Sequence, residues 1–476
     1  MIGEPATSSG VASEEAGGPA RLRRVLGSWG TAALSIGVMA PTLAMAVVGP
    51  EAARLVGRAA PLAFVLAALL VLLVSVGFVR LSAEFASAGS VYAFVGGSIG
   101  PRAGAFTGVV MLGTYLVFPW VSVAGVTLFG TELLRMAGLD VDWLVVALVG
   151  WLVVGGLAAS GLRPAVRALI AFEVVAVLVI LGLMAVVVRA LASGTAPRGQ
   201  RFDAGVFVLP AGLPTGALVL AGVAAFLAFC GFESAGSLGE EAHRPRSAVP
   251  RAMLVAIGVG AVFYVVCVTV QAWGFGTDDP GVAAFAGSTA PLGALAAAYV
   301  GPWLAAVLHA IALISAIGAG LGCVLVAVRL LFAFGRDGRL PTALARISRR
   351  NGAPTVALVV ELSVGIITIV GFRLAVVPPD RMFFVLATFG VLNLLVMYAV
   401  TDLAAVRHLR RTGTAWPVLP LLGVVVAVAV LVQSAASVPP GLLIALAGWL
   451  ALAAVFALAR ARPAAGADAT AASGGH

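Results

Sequence analysis

Twelve apolar runs, each close to the roughly 20 residues a helix needs to cross about 30 Å of hydrocarbon, follow one another along the 476-residue chain. Their limits are about 30–52, 61–83, 103–132, 142–160, 165–190, 214–238, 250–273, 302–334, 355–373, 382–402, 416–434 and 440–460. Backbone in lipid finds no water to bond, so runs of this length specify helices. With 61% hydrophobic and 10% charged residues and a mean hydropathy of +1.11, the chain is solvated largely by lipid. That excludes an ordinary soluble enzyme of two or three domains and predicts an all-α polytopic membrane protein with twelve transmembrane helices.

Charge placement sets the expected orientation. The sequence has no lysine, and its 29 basic residues are arginines that give a net charge of +9. A cytoplasmic N-terminus puts 21 of them inside, Arg163, Arg244, Arg336, Arg349 and Arg410 among them, and 8 outside, as the positive-inside rule requires. The basicity therefore calls for no nucleic acid. The expectation is a multi-pass cell-membrane protein with both termini cytoplasmic. Residues 1–27 and 463–476 read as disordered tails, 28–411 as the core and 412–462 as two further helices. No cleavable signal is evident, since the run after Arg21, Arg23 and Arg24 is too long for one. Cys230, Cys267 and Cys323 sit at irregular spacing inside apolar runs and read as isolated buried thiols. No metal-ligand spacing occurs, and neither metal nor cofactor is expected.

Two runs are interrupted. In the first, Gly37-Val38-Met39-Ala40-Pro41-Thr42 places a proline, which lacks a backbone donor, at mid-run. In the sixth, Cys230-Gly231 breaks the pattern and Glu233 arrives at mid-depth, where a carboxylate costs about 2.5–3.5 kcal/mol and must face protein or water. A break beside a buried acid is how discontinuous helices build binding sites. The two breaks are five runs apart, an odd number of crossings, so they enter the membrane from opposite sides, as an inverted repeat of helices one to five and six to ten produces.

Several stretches carry a family resemblance. Phe226-Leu227-Ala228-Phe229-Cys230-Gly231-Phe232-Glu233-Ser234, with Glu240-Glu241-Ala242, Pro245-Arg246 and Pro250-Arg251-Ala252, resembles the sixth helix and following loop of the amino acid/polyamine/organocation (APC) permeases. Leu81–Tyr92 with Gly100-Pro101-Arg102 resembles the loop after their second helix, and Arg163–Glu173, more weakly, the start of the fifth. Gly335–Pro341 and Asn351-Gly352-Ala353-Pro354 resemble the loop after helix eight. The resemblance implies a LeuT-like 5+5 inverted repeat with discontinuous helices 1 and 6 plus two C-terminal helices. It also implies a secondary transporter moving amino acids by alternating access. A major-facilitator carrier fits less well, because residues 84–102 lack that family's loop signature. Cationic amines as substrate, a non-transporting sensor and an intramembrane enzyme are the other readings.

The half-helix ends supply unpaired N–H and C=O groups for a zwitterion. Gly37, Met39, Ala40 and Thr42 on the first break and Phe229, Cys230, Gly231, Phe232 and Glu233 on the sixth are the expected substrate-binding residues. Pro41 stands where family members commonly carry glycine or serine, and cannot donate. Phe229 and Phe232 flank the break as possible gates. Glu233 is either a ligand-facing acid or a structural one bonded to backbone amides. Leu227 stands where arginine-exchanging relatives place an aromatic, which argues against a guanidinium substrate. Tyr115, Pro119 and Trp120 line the pocket or belong to the core, and Glu173, His309, Glu361 and Asn393 are isolated polar residues in apolar runs. Between Ala312 and Gly322 only Ser315 carries a hydroxyl, too few ligands for the sodium ion held there in coupled relatives. Sodium independence follows, with exchange or proton coupling through Glu233 or Glu173. Arg167 is the candidate fixed charge for the vacant sodium position. The oligomeric state is open.

Overall fold

Each predicted run closes its own backbone bonds as a helix or as two helical pieces meeting at a break. The computed structural model describes residues 24, 26–85, 87–348, 350, 352–413, 417–436 and 438–459. The predicted tails lie outside these residues except for Arg24, Leu26 and Gly27. The helices are α1 (Ser28–Met39), α2 (Pro41–Val56), α3 (Ala60–Glu84), α4 (Val91–Ser98), α5 (Pro101–Met136), α6 (Trp143–Ala159), α7 (Leu162–Ala192) and α8 (Thr215–Phe226). They continue as α9 (Pro245–Phe275), α10 (Asp279–Gly287), α11 (Pro291–Tyr299), α12 (Pro302–Arg336), α13 (Thr355–Leu374), α14 (Pro379–Thr412), α15 (Val418–Ala436) and α16 (Pro440–Leu458). Among the described residues the only β pairing is two isolated bridges. Seven helices, α2, α5, α9, α11, α12, α14 and α16, open on a proline, whose missing N–H is one the first turn would leave unbonded anyway.

Ten stretches are long and apolar enough to cross a membrane. One of them is the continuous stretch Ser28–Glu84, which contains α1, α2 and α3, and α6 is a shorter apolar helix besides. Between α9 and α12 lie two short helices, α10 and α11, rather than one, because Pro291 starts a new first turn after Ser288 leaves the helical region.

The long helices α5 and α12 pack on each other at the centre, and α14 packs on α5. Leu152 on α6, Val432 on α15 and Val455 on α16 expose about two-thirds of their surface (66%, 63% and 66%), so the outer helices are apolar outward as well as inward. That is the pattern of a helix whose outer face meets hydrocarbon. Inside this ring the broken segments lie half against half. α1 packs on the 3₁₀ run Phe232–Leu238, and α2 on α8.

Candidate functional site

The first break is one residue wide. Ala40 adopts φ 45° and ψ 62°, a left-handed conformation that costs an alanine about 1–2 kcal/mol, and Pro41 then opens α2. Ala40 N–H closes α1 on Ile36 and Gly37 carbonyls (3.2 and 3.3 Å), and Ala44 N–H starts α2 on Ala40 O (2.9 Å). The second break is longer: a 3₁₀ turn Leu227–Phe229, then Cys230, then Gly231 at φ 109° before the second 3₁₀ run. The breaks touch at Gly231, where an added Cβ would lie 2.5 Å from Val38 Cγ1 and 3.1 Å from Met39 N. Ser35 stitches them together: its hydroxyl donates to Phe232 O (2.6 Å) and accepts from Ala235 N–H (3.1 Å).

Glu233, fully buried, turns back into its own break and toward two tyrosines. Tyr115 Oη donates to Oε1 (2.6 Å), Tyr398 Oη to Oε2 (2.8 Å), and Gly231 N–H to Oε2 (3.2 Å). It thereby ties α5 and α14 to the broken segment. A second buried carboxylate, Glu173 of α7, joins α2 to α12. Thr42 donates to Oε1 through both N–H and Oγ1 (3.2 Å each), and Ser315 Oγ donates to Oε2 (3.0 Å).

A cavity of about 560 Å³ starts at the breaks and runs to the end of the bundle where α2 finishes. Val38, Met39 and Ala40 form its floor with Cys230 and Cys323, and Glu51, Arg54, Gln433 and Ser434 line it at the far end. The walls between are mainly apolar, with Leu43, Phe118, Val121, Val223, Leu227 and Val391 prominent. The opposite end of the bundle is tied shut by charge. Arg329 of α12 makes a two-pronged pair with Glu241 (2.5 and 3.0 Å) and donates to Leu325 O (2.7 Å), while Arg336 pairs with Glu240 (2.6 Å). Leu26 pairs with the same loop, taking His243 N–H and giving its own to Glu241 O (3.0 Å each).

Of the residues expected to bind substrate, Met39, Ala40 and Cys230 line the cavity. Gly37 packs on Leu169, and Thr42 is engaged by Glu173. Phe229 stacks edge-on against Tyr264 and Phe232 against Phe78, so both expected gates are core. Gly231 meets α1, and Glu233 meets its tyrosines; neither is on the cavity wall. The expected placement of Arg167 is corrected: it is exposed, and the position between Thr42 and Ser315 is filled by Glu173, which faces inward from the same helix. Tyr115, Pro119 and Trp120 are buried off the cavity, whose α5 wall is Phe118, Val121 and Ser122. Tyr398 and Ser35 were not legible as partners, because their contacts lie 165 and 197 residues away. Among the described residues no cluster of three or more histidines, cysteines or acids fits a metal.

Two broken helices facing each other at the base of a cavity, in a bundle built for lipid, define a membrane carrier. The amino acid permease family model matches residues 31–438, and the chain belongs to that family, within the APC superfamily. It is accordingly a multi-pass membrane transporter of amino acids rather than an enzyme. It is 30% identical over 412 residues to an uncharacterized transporter of Mycobacterium tuberculosis, covering 86% of this chain and 85% of the relative. It is 26% identical over 349 residues to the branched-chain amino acid permease BcaP of Lactococcus lactis, covering 69% and 72%. The glutamate/serine transporter AimA of Bacillus subtilis is 27% identical over 219 residues, 45% of this chain and 38% of that one.

Proposed function

We propose that the protein carries neutral amino acids with apolar side chains across the cell membrane by alternating access. The reading has twelve crossings and both termini cytoplasmic. Helices one to five and six to ten form a LeuT-like inverted repeat, with two helices beyond it. Transport is sodium-independent, by proton coupling or exchange, with Glu233 and Glu173 as the candidate proton carriers. The single observation that carries the substrate reading is the chemistry of the cavity: an apolar sleeve, from Leu43 to Val391, above the broken backbone of Ala40 and Cys230. Burying a leucine-sized side chain there contributes about 1.5–3 kcal/mol, whereas an uncompensated charge is penalised. A cationic amine has little to pair with, since among the described residues Glu51 is the one lining carboxylate and it is bonded to Arg54. Leu227 on the wall offers no aromatic face for a guanidinium. The name of the Lactococcus relative points to the same substrate class.

Thermal unfolding of the purified protein with single ligands tests this. Leucine, isoleucine and valine are expected to raise the unfolding temperature, with about 2.7 kcal/mol of added stability at a hundredfold excess over Kd. Stabilisation by arginine or putrescine but not by leucine contradicts the reading. Orientation is tested separately with Arg346→Cys, an exposed position after the 3₁₀ turn Thr342–Ala345, in a background without the three buried native cysteines. An impermeant thiol reagent outside intact cells is expected to leave it unlabelled until the membrane is opened. Rapid labelling of intact cells rules the orientation out.

A further inference from the structure

Glu173 occupies the place where a broken helix is best fitted to hold someone else's carboxylate. The first turn of α2 begins with a proline, so its first free N–H is Thr42's, at the positive end of the helix and two residues from cavity-lining Ala40. That N–H is already taken by Glu173 Oε1, as is the Thr42 hydroxyl, and Ser315 holds the other oxygen. All three bonds are given to Glu173, and no salt bridge involves it among the described residues.

We propose that Glu173 stands in for the substrate's carboxylate at the start of α2 and takes up a proton when that carboxylate arrives, so that proton and amino acid cross together. Two carboxylates competing for the same few donors in a dry site cannot both stay ionised, because each disfavours the charge on the other. The proton comes from water on the side to which the cavity opens and forms an O–H bond on Glu173. It leaves to the other side when the amino acid departs and Glu173 recovers Thr42 as its counter-group. The step needs no redox partner. The proposal rests on the amino acid reading above and gives the coupling role to Glu173 rather than Glu233, whose oxygens are bonded to Tyr115, Tyr398 and Gly231 away from the cavity.

The surroundings offer no rival for this charge. Six helices pack on α7: α1, α2, α6, α9, α11 and α12. α1 and α6 contain no titratable side chain, and Glu51 and Arg54 sit at the far end of α2. On α9, Tyr264 is within electrostatic reach of Glu173 and its buried hydroxyl has no partner among the described residues, Cys267 is buried, and Arg246 and Arg251 lie in the first two turns. Tyr299 of α11 donates to Gly274 O, and on α12 His309 bonds Ala305 O while Arg329 and Arg336 are paired at the far end. The four side-chain oxygens of Thr42, Glu173 and Ser315, already hydrogen-bonded across the cluster, also fall short of the ligand shell a desolvated sodium ion requires.

The test uses full-length protein in sodium-free liposomes with leucine as probe. Wild type is expected to accumulate leucine when the interior is alkaline, and to bind it more tightly as pH falls. Glu173→Gln is expected to lose pH-driven accumulation and to bind leucine with no pH dependence. Ser315→Ala removes a donor to the charged form, so the pH midpoint of leucine binding is expected to move upward; this variant decides the matter if Glu173→Gln does not fold. Retained pH-driven accumulation in Glu173→Gln, or an unmoved midpoint in Ser315→Ala, overturns this proposal alone. Sodium-driven uptake that disappears in Glu173→Gln also overturns it, making the cluster a cation site. Absence of leucine binding by the wild type overturns the substrate reading and this proposal with it.

Discussion

Gly231→Leu is expected to lose leucine binding and to unfold about 2–5 kcal/mol more easily than the wild type. The estimate adds about 1–2 kcal/mol for a side chain in left-handed backbone to about 1–3 kcal/mol for forced overpacking. Gly231 lies at φ 109°, and a Cβ there would sit 2.5 Å from Val38 Cγ1 and 3.1 Å from the Met39 nitrogen. The Met39 contact is backbone, which cannot rotate away. The two broken segments must therefore separate, and Val38 and Met39, which form the cavity floor, move with them. Gly231→Ala carries the same strain with a smaller clash and is expected to fall between the two. Thermal unfolding and leucine binding on one detergent-solubilised preparation check both effects; a Gly231→Leu protein with unchanged stability and affinity would show that the breaks are not packed as described.

The contact at Gly231 marks where sequence reasoning succeeds. A proline at mid-run and a glycine after a cysteine are local signals, and the breaks fall at Ala40 and Gly231 as those signals require. The long apolar runs are also local, and all become helical. The cavity wall has no such signal. In a water-soluble helix the buried face stands out against a polar one, but in lipid both faces are apolar, so Phe118, Val121 and Val391 look no different from residues facing hydrocarbon. Glu233 shows the complementary failure. Mid-depth predicts that a carboxylate needs partners, but not that Tyr115 and Tyr398, on two other helices, supply them in place of a ligand. Glu173 was legible as an isolated acid and a candidate proton carrier, but its partners were not, because Thr42 and Ser315 lie 131 and 142 residues away.

Arg329→Leu is expected to cost about 3–5 kcal/mol of stability, the range found when one partner of a buried pair is removed and the other is left charged without compensation. Arg329 and Glu241 expose only 3% and 5% of their side chains, and the guanidinium spends three of its donors on Glu241 and the Leu325 carbonyl. Glu241 belongs to the loop that also receives Leu26 through its backbone, while neighbouring Glu240 holds Arg336 and accepts the Ala88 N–H (3.2 Å). One short loop therefore fastens the start of α1, the α3–α4 connection and α12 at the end of the bundle opposite the cavity mouth. Arg329→Lys keeps the charge but loses the planar fork, and is expected to recover only part of the loss. The double variant Arg329→Leu with Glu241→Leu leaves no unpaired ion and is expected to regain most of the stability. On the alternating-access reading proposed above, loosening this end also removes a tie that must break when the carrier opens to the other side. In both leucine variants a cysteine at Ala88, which is buried, is expected to react faster with a thiol reagent than in the wild type. Unfolding curves and labelling rates check the two outcomes independently: a stable single variant refutes the energetic assignment, and unchanged labelling at Ala88→Cys refutes the seal.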